Sequence, residues 1–114
     1  MTLGKQIEAA VTPIVPICVP KQYGGDATEY CTYNYTEVPD LFGDDEPGVI
    51  RCRVQVHWLY PWAPNVSEAV EALQKKRQLR RALGETFESW PTVIPAGDGE
   101  WEHFVFEFDA LEEV

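Results

Sequence analysis

A chain of 114 residues, 45% hydrophobic and 12% aromatic, has the size of one compact domain and is too apolar to stay disordered. Its formal net charge of −10 argues against a broad nucleic-acid-binding surface, which needs positive charge to release counterions. No apolar run approaches the roughly 18 residues of a membrane span, and "MTLGKQIEAAVTP", with Glu8 inside it, reads as folded protein and not as a signal peptide.

Leu3, Ile7, Ala10 and Val11 recur at helical spacing, so a first helix is expected over residues 3 to 12, stopped by Pro13. "PIVPICVP" is too rich in proline for a central strand and suits an extended edge piece. The glycines of "KQYGGDATE" mark a loop, and "EYCTYNYTEV", residues 29 to 38, reads as a strand rich in Tyr and Thr. "PDLFGDDEPG" is a loop.

"VIRCRVQVHWLYPW" then alternates. Ile50, Cys52, Val54, Val56, Trp58 and Tyr60 are apolar, whereas Arg51, Arg53, Gln55 and His57 are polar, which predicts a strand with one wet face from Val49 to about Tyr60. Pro61 and Pro64 end it. Asn65 or Ser67 can cap a second helix, with Glu68 at the capping-box position if Asn65 is the cap. Ala69, Ala72, Leu73, Leu79, Ala82 and Leu83 form its apolar stripe, and Gly84 lies where the helix is expected to end. "SWPTVIP", the turn "AGDG" and "EWEHFVFEFDA" read as a hairpin. In its second strand Phe104, Phe106 and Phe108 face one way, and Trp101, His103 and Val105 the other. The expected fold is a single α+β domain over residues 1–114, a mainly antiparallel sheet of about four strands packed by two helices, in the order α-β-β-α-β-β.

Candidate chemistry is sparse. Cys18, Cys31 and Cys52 are odd in number and lack CxxC spacing, so they read as buried thiols in a reducing compartment. His57 and His103 have no partners at metal-ligand spacing; His57 lies on the polar face and His103 next to an aromatic core, and either reads as a surface or a satisfied core histidine. "GDDE" at 43 to 46 does not match an EF-hand loop, and no GxSxG, Walker A or GxGxxG motif occurs. No catalytic residue, metal or cofactor is expected, and an enzyme is the least favoured class.

Charge is unevenly placed. Seven acids and no base lie between Asp26 and Glu46, nine acids and no Lys or Arg between Glu85 and Glu113, while five of nine bases fall between Lys75 and Arg81. That pattern is a positive patch on an acidic body, or simply a solvated helix face.

The run from "EYCTYNYTEVPDLFGDDEPGVIRCRVQVHWLYP" through "SEAVEALQKKRQLRRAL" to "WEHFVFEFDA" resembles the tail-completion, or tail-terminator-like, proteins of long-tailed bacteriophages. The shared features are a first helix, an aromatic strand ending near an Asp-rich loop, a strand such as "CRVQVHWLYP", an amphipathic helix and a final hairpin. "HWLYPWAPN" departs from the charged turn often found there. The resemblance implies a ring former, usually a hexamer, at the head-proximal end of the tail tube. It would stop tube growth and join the tail to head-tail connector proteins, with DNA passing through the lumen without specific binding. The implied location is the virion, and the host cytoplasm during assembly. The alternatives are another neck-region ring component, or an acidic inhibitor that mimics DNA.

A ring needs heterologous contacts, in which one surface meets a different surface of the next subunit. The candidate interface residues are Asp40, Asp44, Asp45 and Glu46 with the acidic stretch 98 to 102 on one side, and Lys75, Lys76, Arg77, Arg80 and Arg81 on the other. Trp62 is the candidate apolar anchor.

Overall fold

The computed structural model describes residues 2–38, 49–61, 65–97 and 101–113. The elements are α1 (Leu3–Val11), β1 (Cys18–Pro20), β2 (Tyr30–Glu37), β3 (Val49–Pro61), α2 (Val66–Phe87), β4 (Thr92–Pro95) and β5 (Trp101–Glu113). The fold is α+β, as the periodicities predict. Two details differ. The sheet has five strands in the order β1-β2-β3-β5-β4, and β1 pairs parallel to β2, so the sheet is mixed. The other three pairings are antiparallel.

The extra strand is the proline-rich segment expected as an extended edge piece. It joins the sheet because an edge strand needs hydrogen-bonding groups on one side only, which tolerates the missing N–H of Pro20. Its flanks supply the bonds: the Cys31 N–H donates to the Ile17 carbonyl and the Lys21 N–H to the Tyr33 carbonyl, each at 2.8 Å.

The middle of the sheet is the β3–β5 ladder, in register from Val49↔Glu113 to Pro61↔Trp101. Alternation along β3 decides which face is dry. Cys52, Val54, Val56 and Trp58 are at most 1% exposed, and they pack with Phe106, Phe108 and Ala110 of β5 and with Cys31 and Tyr33 of β2. Leu3, Ile7, Val11 and Val15 from the α1 region and Leu79 and Leu83 from α2 cover this face. Each large apolar side chain buried there contributes about 1.5–3 kcal/mol.

Local signals set the helix ends. Thr2 caps α1, its hydroxyl accepting from the Lys5 N–H at 3.2 Å, and Asn65 caps α2, accepting from the Glu68 N–H at 2.9 Å. The second helix does not stop at Gly84. It runs on to Phe87, and Glu88 takes the left-handed conformation, with φ of 53°. Gly84 serves packing instead: a Cβ there would lie 2.5 Å from Cε3 of Trp90, whose ring folds back against the helix. All three cysteines are buried and free, and burial raises their pKa values, Cys18 to about 12, so their thiolates are strongly disfavoured.

Val54→Asp places a carboxylate at a fully buried position of the central strand. That costs several kcal/mol against a total stability of about 5–15 kcal/mol. Circular dichroism should show it unfolded, whereas His57→Ala should retain the native spectrum.

Candidate functional site

Among the described residues no helix packs on the other face of the sheet, although the β1–β2 loop folds over one end of it, where Thr32 and Val105 are buried. Across it, strand register brings together Thr36, Arg53 and Asp109 in one row, Asn34, Gln55 and Glu107 in the next, then Thr32, His57 and Val105, then Tyr30, Leu59 and His103. The polar rows are cross-linked. Arg53 Nε donates to Asp109 Oδ1 at 3.3 Å, and Gln55 Nε2 to Glu107 Oε2 at 3.0 Å. The Arg53–Asp109 pair is solvent-exposed and worth at most about 1 kcal/mol.

Toward the other end the face becomes aromatic and apolar. His57 Nδ1 lies 2.8 Å from His103 Nε2, with ring centroids 5.0 Å apart, and Asn34 Nδ2 stands 3.4 Å from His57 Nε2. Tyr23, on the loop that returns from β1 to β2, packs on Tyr30 at 4.6 Å and accepts the Ala27 N–H at its hydroxyl. These side chains wall an open cleft of about 410 Å³, with Lys21 and Thr32 also on its lining. Beside it Ile94 and Trp101 are 42% and 37% exposed, and at the far end of the same face Leu111 is 63% exposed.

The predicted basic patch is divided by the fold. Lys75 turns inward: its Nζ lies 2.7 Å from Glu29 Oε1, and the other oxygen of Glu29 accepts the indole N–H of Trp58 at 3.2 Å. Lys76 stands over the Phe104 ring at 4.8 Å, above a groove lined by Tyr60, Ala72 and Leu73. Arg80 donates to the Pro91 carbonyl at 2.9 Å and covers the Trp90 ring at 4.9 Å. Arg77 and Arg81 are exposed, Arg81 lying 3.8 Å from Glu85. So Lys75, Lys76 and Arg80 hold α2 to the body, and Arg77 and Arg81 present charge outward. Asp40, Asp44, Asp45, Glu46 and Trp62, like Asp98 and Glu100, lie outside the described residues.

Sequence reading missed the histidine pair. His57 was legible on the polar face of its strand and His103 on the side of its strand away from the phenylalanines, but they are 46 positions apart. Only the β3–β5 register sets Leu59 opposite His103, one step along from His57. The hairpin signal joins β5 to β4 and says nothing of its pairing with β3.

No family model matches the chain, and no curated protein matches it.

Burial holds the His57 imidazole below the ordinary histidine value of 6.5, and the adjacent His103 adds to that. The unfolded chain therefore takes up this proton at a higher pH than the folded one. Stability from neutral His57 is fully present above about pH 6.5 and drains away as pH falls through and below it. Urea unfolding at about pH 7.5 and about pH 5 should show a larger acid-induced loss in the native chain than in His57→Gln. Equal losses would contradict this.

Proposed function

We propose that the chain is a structural protein of a phage virion that assembles as a hexameric ring on the head-proximal end of the tail tube and joins it to the head-tail connector. The reading rests on the likeness of its element order and strand text to tail-completion proteins. The observation that carries the assembly role is the sheet face on which no helix packs among the described residues, where Ile94, Trp101 and Leu111 are exposed on one side of a sheet whose other side is closed by helices. Exposed large apolar side chains are characteristic of protein contact surfaces, and here they stand at both ends of one face, Ile94 and Trp101 at one and Leu111 at the other.

Charge is in keeping with this role. A net charge of −10 disfavours adhesion of phosphates to the protein, which suits a passage that DNA must cross. Arg77 and Arg81 on α2 offer a neighbouring acidic surface a pair of outward cations, which would set partner choice and association rate more than affinity. A stopper or connector ring of the same neck region would share these features and differ in what it binds.

The test is to add the purified chain to its elongating tube protein and follow tube length by electron microscopy, with particle mass by light scattering. The expected result is a ring at one end of each tube and arrested elongation. A double variant, Trp101→Glu with Leu111→Glu, should keep its circular dichroism and lose capping. Binding to connector and not to tube would place the chain elsewhere in the neck. Indifference to both would remove the assignment.

A further inference from the structure

We infer that His57 and His103 form a two-histidine site for a divalent transition-metal ion of the Ni2+ and Cu2+ class, open to water on the sheet face opposite the helices. The inference does not depend on the role proposed above.

Two imidazole nitrogens 2.8 Å apart cannot both carry a proton, so at least one lone pair is directed into the gap. What fills the gap is either one shared proton or one cation. The separation is that of a hydrogen bond and is also close to what two ligands of one ion need. Adjacent ligands at 90° on a tetragonal or octahedral ion, with metal–nitrogen bonds of about 2.0 Å, lie about 2.8 Å apart, whereas tetrahedral zinc spreads them to about 3.3 Å. A small turn of both rings, so that their lone pairs converge, brings the pair to adjacent positions on nickel or copper without changing the strand register. The ring planes already stand 41° apart, so neither lies stacked flat on the other.

Asn34 supplies the outer support that a metal-bound histidine needs. It approaches the far nitrogen of His57, Nε2, at 3.4 Å. With its amide nitrogen facing the ring it donates to Nε2, and His57 then carries its proton on Nδ1, directed at His103. Turning the amide over puts the carbonyl oxygen there. Nε2–H then donates to that oxygen, and Nδ1 is left as a lone pair facing the gap. A carbonyl on the remote N–H is the usual way a ligating imidazole is fixed. The amide of Asn34 thus selects between the proton-shared and metal-ready tautomers.

The surroundings permit coordination. Among the described residues the cleft is open, which leaves room for water on the ion. Thr32, Tyr23 and Tyr30 line it without charge, and Lys21, the one lysine or arginine among the described lining residues, lowers affinity. His57 and His103 stand on neighbouring strands of the longest ladder in the sheet, so the spacing is held by backbone and not by a loop.

Nickel is the probe of choice, because it does not oxidise the free thiols as Cu2+ can. Untagged protein is titrated with NiCl2 at about pH 7.5, by calorimetry and by paramagnetic broadening of amide and imidazole resonances. One equivalent per chain is expected, with broadening centred on residues 57 and 103. His57→Gln and His103→Gln should each abolish it, and Asn34→Ala should weaken it about tenfold. Nickel should also raise the urea midpoint of the native chain and leave that of His57→Gln unchanged, a readout that separates binding from folding. Affinity should fall as pH drops, since protons compete for the same nitrogens. Binding that survives in both single histidine variants, or that only one of them removes, would overturn the chelate. Absence of saturable binding at millimolar nickel would do so as well.

Discussion

Everything in this molecule hangs on a strand that must satisfy two media at once. Strand β3 is paired on both sides along most of its length, to β2 and β5, and its inner residues Cys52, Val54, Val56 and Trp58 have almost no contact with water. Because side chains alternate, its outer residues Arg51, Arg53, Gln55 and His57 must lie together on the opposite face. A slip by one residue would bury two arginines and expose a tryptophan, so the register is fixed by cost. Two neighbouring strands are locked to it, and the helices can pack on one side only. The face opposite the helices, with its histidine pair and exposed apolar side chains, is the geometric remainder of that choice.

The same logic explains what became of the basic helix. Trp58 is fully buried, and its indole N–H needs an acceptor that a hydrocarbon core cannot provide. Glu29 supplies it, and the resulting half-buried carboxylate is balanced by Lys75 of α2. A positive charge that looked free for a partner thus ties the helix to the sheet. Arg80 has a comparable role at the other end, closing the α2–β4 turn through the Pro91 carbonyl and the Trp90 ring. Helix-surface charges that complete a buried network are structural first, and only the outward pair Arg77 and Arg81 remains for recognition.

Strong periodicity was legible in the sequence, and tertiary pairing was not. The alternation of β3, the Phe104–Phe106–Phe108 face of β5 and the Asn65 cap all lie in local pattern, and the fold keeps them. The end of α2 was misjudged because glycine signals a helix stop by its backbone freedom, while Gly84 is used for lack of a side chain beneath Trp90. The strand at Cys18–Pro20 was visible as an extended edge, yet its parallel pairing depends on hydrogen bonds to residues 31 and 33, which no local pattern encodes. For the candidate site the limit was the same. A histidine on each of two strands is legible. Their contact is a property of register.

As a contact surface the sheet face competes with the helix side, where Val70 and Leu73 are also exposed, as is Trp90 beyond the helix end. The direct measurement is hydroxyl-radical footprinting read by mass spectrometry, on the free protein and on the protein mixed with the tube ends it is proposed to cap. Trp101, Ile94 and Leu111 should become protected on binding while Val70, Leu73 and Trp90 react as before. Protection of the helix side with the sheet face unchanged would contradict the sheet face as the contact surface.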